Sequence, residues 1–181
     1  MQQESYEVGA ELPQMRWSHV PDHEVWNEAA VKALSNHGQP LVTMVPEDID
    51  RWCPAYENGD EAQRTAFWVG FLSALAKHES TYRPAAVNPN GKWFGLLQIS
   101  PATARGYDCR AESGSALQNG GANLSCAIRI MSVTVPRDGV IAAKDSRWRG
   151  VAADWGPLRV SAKQRDISGW LTAQPFCQAD R

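Results

Sequence analysis

No apolar run in this chain approaches the ~20 residues that a membrane-spanning helix requires. Nor is there a basic excess: 18 Lys and Arg stand against 20 Asp and Glu, for a formal net charge of −2. The first absence excludes a helical membrane span. The second argues against a nucleic-acid partner, because such domains are usually clearly basic. The four cysteines, Cys53, Cys109, Cys126 and Cys177, form no Cys-x-x-Cys pair. A zinc ribbon or dithiol redox motif is therefore not indicated. No His/Asp/Ser spacing suggests a nucleophilic triad, no cofactor or metal is called for, and there are no internal repeats or low-complexity runs. The first residues, Met1-Gln2-Gln3-Glu4-Ser5, lack the apolar core of an export signal.

An even, dispersed set of cysteines fits disulfides and an oxidising compartment. A periplasmic or secreted location is therefore expected, with a signal already removed or another route of export. Cys109 and Cys126 flank a polar loop and are expected to pair. By elimination Cys53 pairs with Cys177, tying the tail to the segment before the central helix. A chain of 181 residues, 43% hydrophobic and 21% charged, suits one globular domain with a real core. Eight tryptophans are many for this length. Their default place is the core, although carbohydrate grooves also use flat aromatic faces.

The stretch Ala66–Ser100 organises the rest. Phe67, Phe71, Ala74, Leu75 and His78 recur at spacings of three and four, which lines one face of a helix. Nearly every other position from Val69 to Ala76 is apolar as well, so protein is expected on most sides of it. The helix should run from Glu61 to Glu79, capped by Asn58-Gly59-Asp60. Glu79 falls at its C-terminal end, beside an apolar core and at the negative end of the helix dipole. Both effects favour the neutral carboxylic acid, the state a general acid needs near neutral pH. The plain alternative is a last-turn glutamate pointing into water.

The residues that follow form an ordered series. Glu79-Ser80 is followed by Pro84-Ala85-Ala86-Val87-Asn88-Pro89, Gly91, Gly95-Leu96-Leu97-Gln98-Ile99 and Pro101-Ala102-Thr103-Ala104. Over about 40 residues this series resembles the catalytic core of the lytic transglycosylases, relatives of goose-type lysozyme that cleave peptidoglycan glycan strands. The resemblance implies that Glu79 is the catalytic acid/base and that the Gly95–Gln98 segment lines the sugar groove. Three departures stand out. Asn88 replaces a Ser that in many members bonds the catalytic carboxyl, Leu97 replaces a Met, and the loop through Lys92-Trp93-Phe94 is one residue longer. Further along, Asn123-Leu124 resembles the start of a family helix, and Ala152–Pro157 weakly resembles an Ala-Tyr-Asn-Ala-Gly-Pro segment, with Asp154 on the Asn.

The implied fold is mainly α, a lysozyme-like single domain with a small β-hairpin beside the substrate groove. Residues 1–20 are read as an N-terminal tail or strap pinned by Trp17. Residues 21–181 form the catalytic domain, with its core at 58–158. The expected helices are 21–38, 47–52, 61–79, one opening at Ser100-Pro101, 122–133 stopped by Pro136, and 163–172. The hairpin is expected within 86–98, turning at Asn90-Gly91. Residues 39–46 and 137–147 are read as connections.

The implied activity is cleavage of the β-1,4 bond between N-acetylmuramic acid and N-acetylglucosamine, leaving 1,6-anhydromuramic acid ends. One alternative is a hydrolytic muramidase, with Asp154 as the second carboxylate. Another is a non-catalytic peptidoglycan-binding module of a secretion system. Substrate contacts are expected from Ser80, Asn88, Gln98, Asn123 and Asp154. Each also has a structural reading: a backbone cap for Ser80, a turn for Asn88, a hairpin amide for Gln98 and a helix cap for Asn123. Trp93 and Phe94 are candidates for stacking on sugar rings. The expected partners are peptidoglycan strands, with a secretion system or a cognate inhibitor protein as further possibilities.

Overall fold

The computed structural model describes residues 12–179. The first eleven residues of the expected strap lie outside them. The described part of that segment is anchored: Trp17 is fully buried, and its indole N–H donates to Asn27 Oδ1 at 2.8 Å.

Among the described residues, eight α-helices carry the fold. They are α1 (His23–Leu34), α2 (Gln39–Thr43), α3 (Ile49–Trp52), α4 (Glu61–Ser80), α5 (Pro101–Gly106), α6 (Gly114–Leu117), α7 (Gly120–Asp138) and α8 (Ser161–Thr172). Short 3-10 turns lie at Val151–Ala153, Gly156–Arg159 and Pro175–Cys177. Among the described residues no helix is long and apolar enough to cross a membrane. The mainly helical, lysozyme-like architecture implied by the sequence is the one observed.

Helix α4 is the axis. Every residue from Ala66 to Ala76 is buried, as an all-round apolar helix must be. Its start is fixed by a capping box: Asp60 Oδ1 accepts from the Gln63 N–H, and Gln63 Oε1 accepts from the Asp60 N–H. α8, α2, α1 and the Pro175–Cys177 turn wrap it, and α1 lies along α7. Around its first half Trp52, Tyr56, Phe67, Trp68 and Phe71 pack edge to face, with centroids 5.0–5.9 Å apart. Most of the tryptophans are thus core residues, and Trp93 is the one with a large exposed face, 41%.

Both disulfides pair as expected. Cys109–Cys126 spans 17 residues and Cys53–Cys177 spans 124. In the loop-entropy account the shorter closure is worth about 3 kcal/mol and the longer nearer 5 kcal/mol.

The hairpin lies elsewhere than expected. Residues 86–98 form only two isolated bridges, Val87 with Phe94 and Phe94 with Ile99. The two-stranded antiparallel sheet is β1 (Ala142–Lys144) with β2 (Trp148–Gly150), the first strand inside the segment 137–147 read as a charged connection and the second just after it. Its charges explain why. The nearly buried carboxylate of Asp138 accepts from the guanidinium of Arg137 and from the backbone N–H of Gly150, and pairs with Arg147 and Arg149. These contacts tie the hairpin to the end of α7.

They also carry α7 beyond Pro136, which sits inside the last turn and removes a single helical hydrogen bond. The helix stops at Gly139, in the left-handed region with φ 73°. The stretch 39–46, read as a connection, holds α2, whose first turn accommodates Pro40.

Candidate active site

Glu79 is the penultimate residue of α4. The chain reverses at once after it, with Thr81 and Tyr82 both at positive φ (52° and 61°). Ser80 makes that reversal. Its hydroxyl is buried, donates to the Ala76 carbonyl at 3.3 Å and accepts from the Arg83 N–H at 3.3 Å. It is a turn residue facing inward, not a groove contact.

The carboxyl of Glu79 is pushed up from 4.5 to about 7. Burial against the apolar core is the main cause, and the Lys163 ammonium on α8 opposes it. A carboxyl that titrates near neutrality can both donate and accept a proton at working pH.

The raised carboxyl also makes a statement about stability. A group whose folded pKa exceeds its unfolded value contributes fully below the unfolded value and loses that contribution as pH rises through the folded one. Glu79→Gln lacks this titration. The variant and the wild type should therefore keep a constant stability difference near pH 4. Above pH 7 the variant should gain on the wild type, by an amount of order 3 kcal/mol. Denaturant unfolding at pH 4.5 and pH 9 measures this. A difference that stays constant between the two pH values would contradict the buried, neutral carboxyl.

The Gly95–Gln98 segment is held from two sides. Asn123 is fully buried in the first turns of α7; its Oδ1 accepts from the Leu97 N–H at 3.0 Å, and its Nδ2 donates to Phe94 O at 2.9 Å and Leu117 O at 3.0 Å. It is neither the helix cap, which is Asn119, nor a groove residue. It positions the segment that carries Gln98. From the other side the indole N–H of Trp155 donates to Leu97 O at 2.9 Å.

Gln98 emerges half-buried, with φ 49°, a strained value for a residue with a side chain. Its Nε2 donates to Ala86 O and Gly95 O at 3.1 and 2.9 Å, which leaves Oε1 to accept from a ligand. Asn88 serves its own loop: Oδ1 accepts from the N–H groups of Lys92 and Trp93 at 2.9 and 3.0 Å.

Asp154 is exposed beside buried Trp155. Partial desolvation raises its carboxyl above the usual aspartate range, Arg137 and Arg159 oppose that, and Asp138 adds to it. Glu79 answers to burial and Lys163. The two carboxyls thus sit in different charge neighbourhoods.

Sequence reasoning missed the contribution of α8. Lys163 and Asp166 lie one turn apart on it, and both reach the end of α4. No motif marks them, and only their spacing of three on a packed helix offered a signal.

A helical lysozyme-like domain with one desolvated glutamate at the end of its central helix defines the class. Residues 51–153 match the Transglycosylase SLT domain family, more than half of the 181-residue chain. The chain belongs to that family, and its function is of the lytic transglycosylase type, directed at peptidoglycan. It is similar to solved structures of DslA, in the wild-type form and in two variants each with one glutamate changed to glutamine. Each aligns at TM-score 0.85 and 31% identity, covering 93% of this chain and 100% of the other. None of the functionally curated proteins matches the sequence.

Proposed function

We propose that this chain cleaves the β-1,4 bond between N-acetylmuramic acid and N-acetylglucosamine and leaves 1,6-anhydromuramic acid ends, with Glu79 as its one acid/base. The observation that carries the reading is the desolvated carboxyl of Glu79, titrating at about 7 without a coupled second carboxylate. Neutral Glu79 protonates the glycosidic oxygen as the bond to the anomeric carbon breaks and positive charge develops there. The resulting Glu79 carboxylate takes the proton of the muramic acid 6-hydroxyl. That oxygen then bonds to the anomeric carbon. One carbon–oxygen bond breaks, another forms, one proton passes through Glu79, and no water is consumed. Gln98 Oε1 is suited to accept from a sugar amide or hydroxyl, and Asp154 has a binding role at the rim. The two disulfides fit an oxidising, extracytoplasmic site of action, periplasmic or secreted.

Mass spectrometry of digested sacculi tests this. Anhydro ends support the reading, reducing ends indicate a muramidase, and no release indicates a binding module. Asp154→Asn is expected to keep at least about a fifth of wild-type turnover, because an exposed charged contact is worth only about 0.2–1 kcal/mol, with anhydro ends unchanged. Collapse of activity in Asp154→Asn, together with reducing ends from the wild type, would make Asp154 a second catalytic carboxylate.

A further inference from the structure

Two titratable groups at the end of α4 lack a partner of their own. α8 runs antiparallel along α4. At one end, a Cβ added to Gly70 would meet Trp170 and Leu171, at 3.2 and 3.4 Å. Toward the other, Asp166 lies 3.6 Å from Lys77 Nζ and 2.6 Å from His78 Nε2. Lys163 precedes Asp166 by three residues on the same face of α8, about 4.5 Å further along its axis. That register carries Lys163 past His78, to the level of Glu79 and Ser80. Lys163 is half-buried, and among the described residues it forms no ion pair. Glu79 is half-buried and forms none either.

We infer that Lys163 is a positioning residue for the reaction: its ammonium faces the Glu79 carboxyl across the α4–α8 packing and stabilises the carboxylate left once the proton has gone to the glycosidic oxygen. The inference rests on the reading of Glu79 as acid/base. The other charged or titratable groups at this end are engaged elsewhere. Arg16 of the N-terminal segment, Lys77 and His78 are gathered on Asp166. His19 and Tyr82 stack edge to face, and Arg83 donates to the Ser80 carbonyl. Arg159 donates to the Ala152 and Ala153 carbonyls, and Arg51 of α3 to Gln164. Consistent with this arrangement, Lys163 is the single charge that acts on the Glu79 carboxyl, drawing it back from the value that burial alone would give. The two effects serve the two halves of the reaction. Burial keeps the acid protonated until substrate arrives. Lys163 lets the proton leave and holds the carboxylate that must next take the 6-hydroxyl proton. Without Lys163 the acid is weaker toward the leaving oxygen and keeps its proton to higher pH.

The test is the titration of the Glu79 carboxyl, followed by carbon NMR in the wild type, Lys163→Met, Lys163→Arg and Lys77→Met, with the Glu79→Gln spectrum identifying the resonance. Lys163→Met should raise the midpoint by roughly one pH unit, the size expected of one charge acting through a partly solvated site. The alkaline limb of glycan cleavage should move up with it. Lys163→Arg keeps the charge and should restore both. Lys77→Met removes a cation that is already paired and should leave the midpoint in place. A merely structural role for Lys163 would lower thermal stability without moving the midpoint. An unmoved midpoint in folded Lys163→Met, or an equal shift in Lys77→Met, overturns the inference. If Lys163→Met fails to fold, Lys163→Gln carries the same expectation and decides. The titration needs no substrate, so failure of the functional reading shows separately, as a wild type that releases no glycan fragments; the midpoint of Lys163→Met then still decides whether Lys163 acts on Glu79.

Discussion

Glu79→Gln is expected to lower the release of soluble muropeptides from sacculi by about a thousandfold or more, within the range by which a positioned general acid accelerates a reaction. The amide keeps the size and most of the shape of the side chain but has no proton to give the leaving oxygen. It cannot accept one from the 6-hydroxyl either, so both halves of the proposed reaction fail together. The fold should survive. Glu79 is not a partner in the α4 capping box, and it lies outside the Ser80 and Asp166 contacts that hold the end of the helix. Above pH 7 the variant gains stability on the wild type, because no buried carboxylate is left to desolvate. Near-normal release by a folded Glu79→Gln protein would remove the assignment.

Gly95→Val should be among the most destabilising single changes, losing about 4 kcal/mol or more, and should take activity with it. Gly95 has φ 84°, which residues with a Cβ adopt only under strain. A Cβ there would also run into the Leu117 carbonyl and the Asn123 amide. Neither obstacle can give way cheaply. The first is backbone, and the second is the side chain that holds Leu97 in place. The same backbone position lets the Gly95 N–H donate to Ala86 O at 2.8 Å and its carbonyl accept from Gln98. Gly91 provides the contrast. Its φ is 70°, but a Cβ added there would meet nothing within 4 Å. Gly91→Ala should therefore lose only about 1 kcal/mol. Denaturant unfolding of both variants gives the comparison. Equal losses at the two glycines would mean that the packing of Gly95 against α7 is not what fixes the loop.

Much of the central helix was legible in the sequence. A stretch from Ala66 to Ala76 that is apolar at nearly every position, set between the Asn58-Gly59-Asp60 cap and Glu79-Ser80, leaves few other structures for a chain of this size. The cysteine pairing was legible too, because two close cysteines across a polar loop leave the other two for each other. The hairpin was misplaced because Asn90-Gly91 is a strong turn signal on its own. There Asn88 folds the turn around its own side chain, and the flanking residues meet only at single bridges. The true strands are three residues each, too short for an alternating pattern to show, and they depend on Asp138 from α7.

The site was legible in part for a related reason. Glu79 announces itself by its local context, since burial and helix position can be inferred from its neighbours. Asn123 belongs to the site's scaffold, but its burial becomes visible only when α7 is packed against the Gly95–Gln98 segment. Lys163, which acts on Glu79, and Asp166, which meets Lys77 and His78, lie far from the end of α4 along the chain and reach it only through the packing of α8 on α4. Nothing in local sequence carries that information.

The most direct test of single-carboxylate chemistry is digestion of purified sacculi in water enriched in heavy oxygen, with the new glycan ends analysed by mass spectrometry. If Glu79 delivers the muramic acid 6-hydroxyl to its own anomeric carbon, the new ends are one water lighter than reducing ends and carry no heavy oxygen. Reducing ends that each carry one heavy oxygen would show that water is the nucleophile, and would contradict the account.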